Sequence, residues 1–101
     1  MGFVRAASTK DIAPGKMTDA ELDGKPILIA NVGSKYYAMG NICAHMGCML
    51  SDGTLRNGQV QCQCHGSVFD LKTGNVVRGP ASEPEPSYDV KVEGNQILVN
   101  V

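Results

Sequence analysis

A single window of the sequence, from Cys43 to His65, contains every cysteine and every histidine of the chain. The window covers less than a quarter of the 101 residues. Its sulfur and nitrogen donors are Cys43, His45, Cys48, Cys62, Cys64 and His65. Core cysteines would be scattered along the chain, so this concentration indicates a metal site. Two Cys/His pairs can hold a single tetrahedral ion, or a cluster in which each iron takes two protein ligands.

The spacing of the donors resembles the Rieske signature. Cys43-x-His45 is followed by Cys62-x-x-His65. In the Rieske pattern, two cysteines bind one iron of a two-iron two-sulfur cluster and two histidines bind the other. The resemblance therefore implies that Cys43, His45, Cys62 and His65 hold one Rieske-type [2Fe-2S] cluster.

The two remaining cysteines extend this resemblance. Cys48 and Cys64 stand where disulfide-bearing Rieske proteins place the bridge that joins their two cluster loops. The resemblance thus implies a Cys48–Cys64 disulfide, which would close a loop of about sixteen residues and contribute roughly 3 kcal/mol in the chain-entropy model. The alternative is a pair of free thiols, which a reducing cytosol favours.

Other residues near the ligands are expected to shape the site without binding metal: Gly47, Gly66, Ser67, Phe69 and Pro80. The glycines permit turns of the backbone beside the ligands. Pro80 lies in a stretch, about 78–86, that resembles the proline loop covering the cluster. High-potential relatives have a serine donating to a bridging sulfide at the position of Ser67 and a tyrosine donating to a ligand thiolate at that of Phe69. One donor is kept and one is lost, so we predict an intermediate reduction potential for the family.

The rest of the chain has the pattern of many short strands. Twelve glycines and five prolines supply turns, and the apolar residues alternate or form short runs. Strands are predicted at 3–7, 16–22, 26–32, 36–39, 68–71 and 75–77. A further short strand is predicted to end at Cys62, and 88–92 and 97–101 are predicted to form a closing antiparallel hairpin. A weaker alternative makes 17–22 a helix. The pattern predicts an all-β sandwich or barrel.

The resemblance makes this expectation more specific. It implies a Rieske-type antiparallel fold with a small cluster-binding subdomain at one tip, whose loops span about 41–50 and 62–70. No linker, repeat or low-complexity tract divides the chain, so we expect one domain over 1–101.

Charge and composition exclude several other functions. The formal net charge is -1, with nine basic against ten acidic residues, and no basic stretch favours nucleic acid or an anionic membrane. No secretory leader or membrane-length apolar run is visible, so we expect a soluble, cytoplasmic protein. Glu83 and Glu85 are expected to be solvated loop charges. With both histidines assigned to metal, no catalytic triad can be assembled.

The resemblance implies a one-electron carrier and not an enzyme in its own right. Its partners would be an upstream reductase, expected to be a flavoprotein, and a downstream oxygenase or other redox enzyme. They would dock at the tip formed by His45 and His65. Two alternatives stay open: a permanent small subunit similar to those of nitrite reductases, and a structural zinc module built on Cys/His pairs or on all four cysteines.

Overall fold

The chain folds as stacked antiparallel sheets. The computed structural model describes residues 2–42, 48–64, 66–79 and 83–101. The strands found in these ranges are β1 (Phe3–Ser8), β2 (Met17–Leu22), β3 (Lys25–Val32), β4 (Lys35–Gly40), β5 (Thr54–Arg56), β6 (Gln59–Gln61), β7 (Val68–Asp70), β8 (Val76–Arg78), β9 (Ser87–Tyr88), β10 (Val90–Glu93) and β11 (Gln96–Asn100). Single 3-10 turns occur at Thr9–Asp11 and Leu50–Asp52. The predicted all-β class is confirmed.

The strands pair into three sheets. Their orders are β1-β11-β10, β2-β3-β4-β9 and β5-β6-β7-β8, and every pairing is antiparallel. Two-residue turns connect several neighbours, and at Asp23-Gly24 and Asn57-Gly58 both residues have positive φ. This is the backbone of tight hairpin turns whose twist matches that of the flanking strands. Within the described ranges, no helix is long and apolar enough to cross a membrane.

Strand β3 lies between two hydrophobic cores. Ile27 and Ile29 pack in a core with residues of β11, whereas Leu28 and Ala30 pack in a second core with residues of β6 and β7. Successive side chains of a strand point to opposite faces, so one apolar run serves both cores. The sheet containing β3 is therefore the middle layer, with the small sheet β5–β8 on one side. The first predicted cluster loop lies between β4 of the middle sheet and β5 of the small sheet, and the second connects β6 to β7 within the small sheet.

The strand predicted at 16–22 is confirmed, and the helical alternative is excluded. Residues 17–22 form β2, which pairs with β3 in register from Met17↔Ala30 to Leu22↔Lys25. One expectation for the strands was wrong in detail. The predicted strand 88–92 is divided at Asp89. Tyr88 belongs to β9 and pairs with Ala38 of the middle sheet, while the closing hairpin begins at Val90.

Candidate metal centre

The structure describes the frame of the predicted centre and one of its predicted ligands. Cys62 is described. The other predicted ligands and two of the neighbouring positions lie outside the described residues: Cys43, His45, His65, Gly47 and Pro80. The described part of the site therefore consists of Cys62 and the residues at the ends of each loop.

Cys62 lies directly after β6, at the start of the second loop. It is buried in the same hydrophobic core as Leu50 and Phe69 and carries a free thiol. Two backbone hydrogen bonds close its loop: the Cys62 N–H donates to the Ser67 carbonyl at 2.7 Å, and the Gly66 N–H donates to the Cys62 carbonyl at 3.0 Å. The loop thus presents a sulfur donor at the edge of an apolar core, where access of water is restricted.

A disulfide joins the two loops. Cys48 and Cys64 are bonded, as the resemblance implied, with their Cα atoms 6.5 Å apart. The sulfurs of Cys48, Cys62 and Cys64 all lie within 4.8 Å of one another, so the bridge brings the first loop next to Cys62. Cys64 is exposed and Cys48 is half-buried.

The bridge also determines which sulfurs can bind a metal. Disulfide sulfur is not a thiolate, so of these three cysteines only Cys62 offers a thiolate. This arrangement fits a [2Fe-2S] cluster that takes one cysteine and one histidine from each loop. It does not fit a zinc site built on all four cysteines.

The first loop is closed by Asn41, a residue that the sequence interpretation missed. Asn41 is fully buried. Its side-chain oxygen accepts from the Ser51 N–H at 2.8 Å, its side-chain nitrogen donates to the Ser51 hydroxyl at 3.0 Å, and its carbonyl accepts from the Leu50 N–H at 2.6 Å. An isolated bridge between Ile42 and Met49 continues the closure. Nothing in the linear pattern pairs Asn41 with a serine ten positions later.

Ser67 and Phe69 are both completely buried at the second loop. Phe69 lies on β7, pairs with Val60 and packs in the core that contains Cys62. A phenyl ring has no hydrogen-bond donor, so Phe69 fills this space without donating to a sulfur. The intermediate reduction potential stays a prediction.

The end of the predicted proline loop is anchored on glycines. The Glu85 N–H donates to the Gly74 carbonyl and the Gly40 N–H donates to the Pro86 carbonyl, both at 2.8 Å. A Cβ on Gly74 would collide with the Glu85 carbonyl oxygen, so close approach of this segment requires glycine there. Glu85 is only 6% exposed, and the expectation that it is a solvated loop charge was wrong.

The buried carboxylate of Glu85 affects a neighbouring tyrosine. Burial raises the pKa of Tyr88 above its ordinary value of 10.0, and the charge of Glu85 raises it further. Both effects disfavour the tyrosinate, so Tyr88 stays neutral over the physiological range.

Comparison with known proteins agrees with this arrangement. The family model of the Rieske [2Fe-2S] domain matches residues 2–97. The ferredoxin component of biphenyl 2,3-dioxygenase from Rhodococcus jostii (strain RHA1) is 36% identical over 101 residues, which cover 100% of this chain and 94% of that protein.

Two solved structures have the same fold. The ferredoxin of carbazole 1,9a-dioxygenase from Nocardioides aromaticivorans IC177 superimposes with a TM-score of 0.93 at 32% identity, covering 98% of this chain and 97% of that one. A chain from a complex of reduced oxygenase and oxidized ferredoxin in carbazole 1,9a-dioxygenase superimposes with a TM-score of 0.90 at 28% identity, covering 96% and 91%. With its cross-linked loops, buried free thiol and domain match over residues 2–97, the chain belongs to the Rieske [2Fe-2S] family.

Proposed function

We propose that this chain is the ferredoxin component of an oxygenase system, carrying one electron at a time from a reductase to a terminal oxygenase. The observation that carries the proposal is the end-to-end similarity to ferredoxin components of dioxygenase systems. One of the similar structures is itself a complex of a ferredoxin with its oxygenase. We expect the reductase to be a flavoprotein.

The proposed ligands are Cys43 and Cys62 through their thiolates and His45 and His65 through one ring nitrogen each. The cluster supplies reversible one-electron chemistry, at a potential that histidine ligation raises above that of four-thiolate clusters. The chain holds the loops in register through the Cys48–Cys64 bridge and keeps water from the buried side through the core around Cys62.

Partner docking is proposed at the tip of the two loops. Each histidine has a second ring nitrogen that is not needed for the metal, and these edges would face the cofactor of the partner. We also propose that residues 1–101 act as one domain and that the protein works in solution in the cytoplasm. Fractionation of cells followed by immunodetection of the chain tests the location.

Iron and sulfide analysis with spectroscopy tests the proposal. Protein reconstituted without oxygen should contain about two irons and two acid-labile sulfides per chain. It should absorb visible light and give a rhombic signal of low average g when reduced. A colourless protein that binds zinc instead would overturn the proposal. Co-purification with a large subunit would support the permanent-subunit alternative.

Substitutions distinguish the proposed iron ligands from the cysteines of the disulfide. Cys62→Ser and His65→Ala should each abolish or convert the visible spectrum, because each removes a proposed iron ligand. The paired variant Cys48→Ser/Cys64→Ser is the control, since it alters the same loops without touching a proposed ligand, and its spectrum should be retained. An unchanged spectrum in His65→Ala would remove that residue from the ligand set.

A further inference from the structure

The small sheet β5–β8 has one face on the core and one face to solvent. Val60 and Phe69, paired across β6 and β7, are completely buried on the inner face. The residues that alternate with them point outward and, together with Val77, line a shallow groove of about 240 Å³: Thr54, Arg56, Gln59, Gln61, Val68 and Arg78. The groove therefore runs across the outer face of the sheet that contains the second predicted cluster loop.

This groove is basic. Arg56 and Arg78 are two of the three arginines of the chain, and both are exposed. They lie on the two edge strands, β5 and β8, which are three strand spacings or about 14 Å apart. The pairing register also offsets the two arginines by two residues along the strands. Among the described residues, no acidic side chain lines the groove. Asp70 pairs with Gln59 and so shares this face outside the groove, where its carboxylate accepts a hydrogen bond from the Lys72 N–H at 2.8 Å.

Neither guanidinium is neutralised by a carboxylate within the described ranges. The salt bridge found there joins Lys91 and Glu93, on a different sheet. A planar guanidinium with five donors binds carboxylates in bidentate fashion and is weakly hydrated, which suits a surface that must release water on contact. Val77 is 51% exposed beside Arg78 and adds apolar area between the charges.

One side of the groove adjoins the proposed metal site. Gln61 and Val68 pair directly across β6 and β7 and are the residues just outside the loop that begins at Cys62 and ends at Ser67. A Cβ at Gly66 would lie 3.4 Å from the side-chain nitrogen of Gln61, so this side chain reaches the loop itself. A partner seated on the arginines would therefore also contact the loop through which electrons leave.

We propose that this groove is a docking surface for an acidic patch on the electron-accepting partner protein. The proposal rests on the proposed function and deepens it, by giving the charge of the acceptor's surface. Positive charge next to the site steers an acidic acceptor into contact and orients it, and the effect weakens as salt screens the charges. The chain as a whole has a formal net charge of -1, so this attraction is local to the groove.

Electron transfer to acceptor proteins of opposite charge tests the proposal. The reduced protein is mixed in a stopped-flow instrument with plastocyanin, which has an acidic surface, or with cytochrome c, which has a basic one. The test variant is Arg56→Gln/Arg78→Gln. The control is Arg5→Gln/Lys25→Gln, which removes the same charge from exposed positions on the other two sheets. Spectra and reduction potentials are recorded first, so that all variants are compared at known driving force.

At low ionic strength, the arginine-groove variant should react with plastocyanin about fivefold more slowly than wild type, and the control less than about twofold more slowly. The difference should collapse at about 0.5 M salt, and the rate with cytochrome c should not fall. Equal losses in the two variants, or no loss in the groove variant, would overturn the docking surface while leaving the electron carrier intact. Failure to take up a cluster is a separate result that refutes the proposed function.

A second copy of the chain is the competing occupant. Sedimentation of wild type and Arg56→Gln/Arg78→Gln distinguishes it. A dimer that dissociates in the variant would overturn the proposal in favour of self-association, whereas identical sedimentation supports an acidic partner.

Discussion

Asn41 closes the first cluster loop with a single buried side chain. Its side-chain oxygen accepts a hydrogen bond from the Ser51 N–H, and its side-chain nitrogen donates one to the Ser51 hydroxyl. Hydrogen bonds between neutral groups contribute about 1 kcal/mol each, and leaving a buried partner unsatisfied costs about 1–3 kcal/mol. A residue that binds no metal therefore sets how firmly the loop carrying Cys43 and His45 is held at its base.

Replacing Asn41 should destabilise the protein. Asn41→Ala removes both hydrogen bonds and leaves the part-buried Ser51 N–H without that acceptor, so we expect the free energy of unfolding to fall by about 2 kcal/mol. Ser51→Ala keeps the hydrogen bond from the backbone N–H of residue 51 to Asn41. It should therefore lower the free energy of unfolding by about half as much. Urea unfolding of the two variants and wild type measures the difference. If Asn41→Ala unfolds at the wild-type urea concentration, the side chain does not hold the loop.

Tyr88 should make stability depend on alkaline pH. Its pKa is raised by burial and then by Glu85, so the unfolded tyrosine loses its proton first as pH rises. The contribution of Tyr88 to stability is complete below about pH 10, the ordinary tyrosine value, and is lost as pH rises toward the raised pKa. Tyr88→Phe should therefore lose stability less steeply above pH 10. Urea unfolding from pH 9 to 11 tests this, and parallel pH profiles would contradict it.

At the scale of elements, hydrogen bonds join the two ends of each cluster loop, and a disulfide links the two loops. Backbone hydrogen bonds join Leu50 to Asn41 in the first loop and Cys62 to Ser67 in the second. The Cys48–Cys64 bond spans 16 residues and is the covalent connection between them. The cross-link therefore adds a restraint between two loops that hydrogen bonds already hold at their bases.

Loss of the bridge should lower stability without changing the fold. Cross-linking across sixteen residues removes chain entropy from the unfolded state, a contribution of about 3 kcal/mol. Cys48→Ser/Cys64→Ser should show that loss in urea unfolding, with an unchanged circular dichroism spectrum of the folded protein. Exposure of Cys64 makes the bond accessible to dithiothreitol, so reduced wild type should match the variant. Equal stability of oxidised wild type and variant would show that the bridge contributes nothing.

Most strands could be predicted from the sequence, because they depend on the local order of apolar and polar residues. Alternation and short apolar runs located β1 to β4, and Asp-Gly and Asn-Gly pairs located turns whose positive φ few other residues tolerate. The error at 88–92 has a physical cause. Alternation continues through Asp89, but it does not reveal that Tyr88 pairs with β4 while Val90 pairs with β11.

At the scale of the whole molecule, the middle sheet joins two cores into one body. Ile27 and Ile29 belong to one core and Leu28 and Ala30 to the other, so the cluster-bearing sheet and the closing hairpin are both built on β3. A destabilising substitution in this strand should therefore perturb both the core beside the metal site and the core beside the closing hairpin. The arginine groove lies on the solvent-facing side of the small sheet, away from the core beside the metal site.

Apolar alternation in the sequence predicted the all-β class, and the resemblance of the donor spacing to the Rieske signature predicted the family and implied the Cys48–Cys64 bridge. Both patterns are local features of the chain. Only the tertiary structure decided that Asn41 closes a loop with Ser51, that Glu85 is buried behind Gly74, and that Arg56 and Arg78 share one groove. Each of these depends on residues brought together by strand pairing or loop closure. Contacts of that kind are set by packing of the whole chain and leave no periodic signal in the sequence.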